Sequence, residues 1–310
     1  MVNHQPPTPG TRTRRSCRRR RLAAFPYYGG KFVHLNFILP LLPTRYRHFC
    51  EPFGGSAAVL LNRPPAPIET YNDLDSEVVN FFACLREQPK DLIRLLHHTP
   101  YSREELLVAC HGDNALPSIE RARRFYVRLH QTFNAVPRVR EHNSWSYARE
   151  TSRRGMSALV SKWQNRIEHL PDVIERFRRV QIEHAPAIEV IRRFDSTDTL
   201  FYCDPPYPHE SRRTLGTYAH EMSDRDHEEL AAVLHAVRGA VAVSGYRCPL
   251  MDRLYGDWRH VDAPPKRCNA SGNLRRESVW MNYDGRCAHT GRTAPLKLGL
   301  STARSGLPPA

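Results

Sequence analysis

Asp204-Pro205-Pro206-Tyr207 is the run whose residue types point most directly to chemistry. It follows Thr199-Leu200-Phe201-Tyr202-Cys203, an apolar stretch that reads as a buried strand of an α/β sheet. Neither proline can donate a ladder hydrogen bond, so the pair ends the strand abruptly. An acid and an aromatic are thereby held on a stiff turn at the carboxyl end of a strand, where open α/β sheets place their ligands. There a carboxylate can accept hydrogen bonds or a proton, and a ring can stack on a planar group. Taken alone, the tetrapeptide also fits an ordinary strand exit.

Two glycine-bearing segments supply a partner for it. In Tyr27-Tyr28-Gly29-Gly30-Lys31 the glycines let the backbone approach a ligand, and Lys31 sets a cation beside it. In Tyr46 to Leu61 the order is strand, glycine turn (Phe53-Gly54-Gly55-Ser56), then helix, the βα unit that cradles a nucleotide-like cofactor. The full G-x-G-x-x-G spacing is absent, which argues against a pyrophosphate-bearing dinucleotide. A second strand, Ile68 to Asn72, runs into Asp73, 19 residues after Gly54, the usual place for an acid that takes ribose hydroxyls. The alternative for Asp73 is helix N-terminal charge, since Ser76 onward reads as a helix with Val78, Phe82 and Leu85 on one face, but ribose binding is the favoured reading. Asp75 reads as an N-terminal helix acid.

The elements that must position these residues divide the chain. From about Gln88 to Phe177 strand signals fade, and Ile119, Ala122, Phe125 or Tyr126, Leu129 and Phe133 fall on one helical face. Between Arg121 and Arg154 there are nine arginines against two acids, Glu141 and Glu150, interleaved with His142, Asn143, Ser144, Trp145 and Tyr147. Arginines tether phosphates, polar side chains read base edges, and aromatics stack, so this stretch reads as a helical insertion that holds DNA. The alternative is a solvated arginine-rich face. Sheet signals resume at Val180 to Glu183, with Pro186 opening a helix over Ala187 to Phe194. A polar loop, Pro208 to Gly216, carries Arg212 and Arg213 and is placed to close over a substrate. Ser223 with Asp226 forms a capping box for a helix whose stripe is Leu230, Val233, Leu234 and Val237. Ala240 to Tyr246 and Ser278 to Tyr283 read as further strands, joined by a basic connection holding Lys266, Arg267, Arg275 and Arg276.

Composition narrows the class. Lys and Arg number 46 against 32 Asp and Glu, a net charge of +14, which suits a polyanionic partner. Part of the excess lies in an N-terminal run from Arg12 to Arg21, which reads as a disordered tail. The eight cysteines form no C-x-x-C pair, so neither a zinc site nor a disulfide framework is expected, and no metal is assigned. No apolar run reaches membrane-spanning length, and no secretory signal is evident. A monomeric cytoplasmic protein is expected.

Taken in order, Tyr27 to Lys31, Glu51 to Ser56, Asn72 to Asp75, the inserted module and Asp204 to Tyr207 resemble the Dam-type adenine-specific DNA methyltransferases. Val243 to Tyr246 and Glu277 to Asn282 resemble that family's final strands. The resemblance spans roughly Phe25 to Tyr283. It implies an α/β, Rossmann-like, S-adenosylmethionine-dependent methyltransferase fold with a seven-stranded mixed sheet and an inserted helical target-recognition domain. The expected boundaries are a basic tail at 1–22, a catalytic domain at 23–88 and 178–284, the recognition domain at 89–177 and a tail at 285–310. S-adenosyl-L-methionine is the implied methyl donor and double-stranded DNA the implied partner. By analogy Phe53, Gly54 and Gly55 meet the cofactor's methionine end, Asp73 its ribose, and Tyr28 and Lys31 lie near cofactor and base. Relatives often place an acid to hold the cofactor's adenine amine. Here Ala185-Pro186 follows Glu183-His184, leaving the backbone or Glu183 for that contact. The implied reaction flips an adenine out of the duplex. Tyr207 would stack on it, Asp204 would accept one amine hydrogen, and the Pro205 carbonyl, held by Pro206, would accept the other. The alternative is a DNA-binding protein with an inactive methyltransferase core. The target sequence and any link to a restriction system are not legible.

Overall fold

The computed structural model describes residues 20–111, 115–133, 145–211, 220–267 and 274–284. Residues 1–19 of the expected N-terminal tail at 1–22, the expected tail at 285–310, Arg138, Arg140, His142 to Ser144, and Arg212 to Gly216 lie outside them, whereas residues 20–22 are described. The chain begins with α1 (Leu35–Ile38), β1 (His48–Glu51), α2 (Ala58–Asn62), β2 (Ile68–Asn72) and α3 (Ser76–Glu87). Helices α4 (Pro89–His98), α5 (Arg103–Cys110) and α6 (Ser118–Gln131), a hairpin of β3 (Ser152–Arg153) and β4 (Met156–Ser157), and helices α7 (Ala158–Glu168) and α8 (Leu170–Phe177) follow. Then come β5 (Gln181–Glu183), α9 (Ala187–Phe194), β6 (Thr199–Cys203), α10 (Asp224–Ala236), β7 (Ala240–Tyr246) and α11 (Pro249–Tyr255). The last elements are β8 (Arg259–Asp262), β9 (Lys266–Arg267), β10 (Leu274–Arg275) and β11 (Glu277–Met281).

Seven strands form one mixed sheet in the order β5-β2-β1-β6-β7-β11-β8. The first five are parallel, and β11 runs antiparallel to both β7 and β8. Strand side chains alternate between two cores, as the pleat requires. Phe49, Leu200, Tyr202 and Ala242 face one, and Cys50, Phe201, Cys203, Val241 and Val243 the other. Both faces are covered, which is why Thr199–Cys203 is buried along its whole length. The chain winds outward from β1 in one direction and from β6 in the other. The switch point therefore lies between β1 and β6, paired in register His48 with Thr199 and Cys50 with Phe201.

The helices between β2 and β5 are present as the periodicity predicts, with one difference. Ala122, Phe125, Tyr126 and Leu129 are buried, but Phe133 lies past the end of α6 and is 53% exposed. These helices pack into the same buried cluster as the sheet. Phe81 stacks on Tyr126 with centroids 5.5 Å apart, and Phe82 on Phe177 at 4.4 Å. The β8 strand was not legible, because Arg259-His260-Val261-Asp262 is a polar edge strand without alternation.

Candidate active site

The site is built at the carboxyl ends of β1, β2 and β6. After Glu51 the chain must turn into α2 within six residues. Gly55 takes φ +48°, and a Cβ on Gly54 would stand 2.1 Å from the Tyr71 ring. Only glycine fits there. The Gly54 N–H donates to the Asn72 carbonyl (2.8 Å), and the Gly55 N–H to Asp73 Oδ2 (2.7 Å). Asn72, fully buried, donates to the Pro52 and Ala185 carbonyls (2.8 and 3.0 Å) and accepts from the Ala185 N–H (3.0 Å). One amide thus fixes three loops relative to one another.

These loops enclose a cavity of about 330 Å³. Of the residues expected at the site, Tyr28, Lys31, Phe53, Gly54, Gly55, Asp73, Asp204 and Pro206 line it. Leu74, Pro186, Ala187 and Ile188 add an apolar wall. Asp73 accepts from the Gly55 N–H and, in an Asx turn, from the Asp75 N–H (2.8 Å). Burial pushes its carboxyl up to about 6, against those two N–H donors. Asp75 is an N-cap, accepting from the Glu77 N–H (2.9 Å), as its position suggests.

At the β6 end, Asp204 Oδ2 lies 2.8 Å from Lys31 Nζ, and Oδ1 accepts from Ser244 Oγ (2.9 Å). Burial raises the Asp204 carboxyl above its ordinary range, opposed by the Lys31 charge and by hydrogen bonds. Lys31 is itself buried, donates to the Gly29 carbonyl (2.8 Å), and reaches Glu277 Oε1 at 3.7 Å.

Tyr207 and Glu183, both expected at the site, lie outside the cavity wall. Tyr207 is 4% exposed and outside the cavity wall; its hydroxyl donates to Glu277 Oε1 (2.5 Å), its ring meets Tyr246 edge-on, and Lys31 Nζ sits 4.8 Å from its centroid. The Glu277 carboxyl that takes its hydroxyl is absent from a reading of the tetrapeptide alone. Glu183 is also outside the wall, because Arg193 on α9 takes its carboxylate at 2.9 Å. Pro205 is buried behind the turn.

The residues the sequence did not single out are Glu277, Ser244 and Glu51. Glu277 is 2% exposed, and burial pushes its carboxyl up to about 7, opposed by Lys31 and favoured by Asp204. Glu51 lines the cavity, accepts from the Leu60 N–H (3.2 Å), and is held well above its usual range by burial. An acid opening an otherwise apolar strand, as in Glu277-Ser278-Val279-Trp280-Met281, was the available signal.

The insertion's arginines divide by role. Arg121 and Arg128 pair with Glu77 on α3, Arg123 with Glu105 on α5, and Arg124 donates to the Val108 carbonyl on α5, so all four join α6 to its neighbours, while Arg123 and Arg124 also pair with Glu120 within α6. Arg153 and Arg154 stay at the hairpin surface. The five described cysteines are free, and among the described residues no cluster of His, Cys, Asp or Glu is arranged to hold a metal. No described helix is long and apolar enough to cross a membrane.

Comparison with known proteins matches residues 27–263 to the family model for D12 class N6 adenine-specific DNA methyltransferases. The type II methyltransferase M1.LlaDCHI of Lactococcus lactis subsp. cremoris is 27% identical over 265 residues, covering 81% of this chain and 90% of that protein. The DNA N-6-adenine-methyltransferase of Escherichia phage P1 is 24% identical over 243 residues, covering 75% of this chain and 31% of the phage protein. The family match takes in the glycine turn, Asp73, the helical stretch and Asp204 on one seven-stranded sheet, and the chain belongs to the D12 class N6 adenine-specific DNA methyltransferase family.

Proposed function

We propose that the chain transfers a methyl group from S-adenosyl-L-methionine to the exocyclic amine of an adenine flipped out of double-stranded DNA. The observation that carries this reading is the meeting of Asp204, anchored by Lys31 and Ser244, with Asp73 and the glycine turn in one cavity. The cavity's donor set fits the cofactor. Asp73 is a buried acceptor suited to ribose hydroxyls, Leu74, Pro186 and Ile188 offer apolar surface to a purine, and the Phe53-Gly54-Gly55 turn leaves room for the amino-acid end. When bound, the cofactor supplies an activated methyl on a sulfonium, so the protein need not activate the donor.

The chain's own residues then act on the amine. Its lone pair is delocalised into the purine ring. Asp204 accepts one amine hydrogen and the Pro205 carbonyl the other, which draws the nitrogen towards tetrahedral geometry and localises the pair. Lys31 and Ser244 fix the carboxylate, so alignment is set before the base arrives. The proton released afterwards passes to Asp204, and Glu277, which reaches the same lysine, is a second buried carboxyl that can share it. With its hydroxyl on Glu277, Tyr207 orients that group. Residues 89–177 serve as the target-recognition insertion.

Asp204→Ala should retain cofactor binding by calorimetry and lose tritiated-methyl incorporation into unmethylated DNA by about 100-fold or more, the usual scale for a positioned acid–base group. Full activity in that variant would remove the assignment. Retained DNA binding with no transfer by the wild type would favour the inactive-core alternative.

A further inference from the structure

A second cavity, of about 320 Å³, takes no part in the proposed reaction. Arg20 and Arg21 enter it from the segment leading into the fold, Arg153 and Arg154 from the β3–β4 hairpin, and Lys162 and Arg166 from one face of α7. Among the described residues, Asp172 is the carboxylate that faces these cations in the lining. Arg154 reaches Glu168 at 3.8 Å with both side chains about half exposed, a pair worth little. Arg20, Arg21, Arg153, Lys162 and Arg166 make no ion pair among the described residues.

The hydrogen bonds here go to neutral groups. Arg20 donates to His169 Nδ1 (3.1 Å) and Asn165 Oδ1 (3.4 Å), and Arg21 to Asn36 Oδ1. A guanidinium has no acceptor, so Nδ1 is the accepting nitrogen and Nε2 of His169 carries the hydrogen. That Nε2 is buried and has no acceptor among the described residues. Partial burial and the Arg20 charge also hold this imidazole below its ordinary pKa, in its neutral form. Crowded cations with one opposing carboxylate call for an anion with several acceptor oxygens.

Position identifies its source. Phe32 lines this basic cavity while its neighbour Lys31 lines the active-site cavity, so the two open on either side of the same short turn, Lys31–His34. We propose that the basic cavity holds a backbone phosphate of the DNA substrate, with Arg20, Lys162 and Arg166 as its principal ligands. The site rests on the DNA methyltransferase reading and adds to it an anchor that sets how the duplex approaches Asp204.

The test uses the full chain and mixed-sequence unmethylated duplex DNA, with affinity measured across a salt series. The double variant Lys162→Gln/Arg166→Gln should bind more weakly and lower the slope of log K against log salt by about 0.9 for each phosphate it no longer neutralises. Asp172→Asn, which removes the opposing charge, should bind DNA more tightly, a gain that misfolding would not mimic. An unchanged slope in a double variant with wild-type melting temperature and cofactor binding overturns the proposal, as does unchanged affinity in Asp172→Asn. If the wild type neither binds duplex nor transfers methyl, the functional reading itself fails.

Discussion

Lys31 holds its ammonium 2.8 Å from Asp204 and 3.7 Å from Glu277, so one cation serves two buried carboxyl groups. Two like-charged acids this close to one cation cannot both ionise at little cost, and Glu277 titrates near 7 as a result of burial above all. The consequence for stability has a definite sign. Between about pH 4.5, where the unfolded chain releases this proton, and about 7, the folded protein still holds it, so stability falls as pH rises through that window. The full difference is on the order of 3 kcal/mol. Glu277→Gln should therefore reduce the decline in unfolding free energy between pH 5 and 8 in urea titrations, leaving the contributions of the other raised carboxyls, Asp73, pushed up to about 6, Glu51 and Asp204. The same variant should lose the ionisation near 7 from its pH–rate profile, while cofactor affinity is retained. An unaltered profile would remove Glu277 from the proton's route.

At the scale of elements, two junctions hold the site in place. In the glycine turn between β1 and α2, Gly54 packs against the Tyr71 ring, whose hydroxyl donates to the Gly55 carbonyl (2.6 Å). Gly54→Ala forces that buried ring to move and should cost about 1–3 kcal/mol in unfolding free energy. Cofactor affinity, measured by calorimetry, should fall with it because the turn shifts. The second junction joins α8 to β2 and α2. Glu69, fully buried, receives Arg176 through two N–H bonds (2.6 and 2.8 Å), Arg63 (2.5 Å) and the Ala66 N–H (3.0 Å). Burial alone would raise its carboxyl, but the Arg176 bonds, the Ala66 N–H and both guanidinium charges carry it below the ordinary range. A depressed carboxyl contributes stability above its unfolded pKa that is lost as pH falls through the folded value. Arg176→Ala leaves Glu69 short of a partner and should cost about 3–5 kcal/mol at neutral pH by chemical denaturation.

Across the whole molecule, the helices between β2 and β5 share one hydrophobic cluster with the sheet rather than enclosing a core of their own. Phe25 sits edge-on to Phe81 and Phe125, both 5.2 Å away, joining the N-terminal segment, α3 and α6. A helical stretch welded to the sheet in this way should not unfold by itself. Thermal unfolding followed by calorimetry and by near- and far-ultraviolet circular dichroism should give one coincident transition, and two separated transitions would show independent units.

The sequence by itself determined the local chemistry. Two prolines must end β6 beside Asp204, the turn after β1 needs glycine at 55, where φ is +48°, and an acid follows β2. Each is a short-range steric or hydrogen-bonding requirement, legible without neighbours. The central strands were legible too, because burial on both faces leaves an unbroken apolar run. Tertiary structure alone decided how those pieces are used. Glu277 lies 73 residues after Asp204 in the chain yet shares its lysine and takes the Tyr207 hydroxyl. Glu183 pairs with Arg193, and three arginines that read as phosphate ligands pair across helices, Arg121 and Arg128 with Glu77 and Arg123 with Glu105. Charge and aromaticity are visible residue by residue. Their partners are chosen by packing across the sheet's edges and faces, which no local pattern encodes.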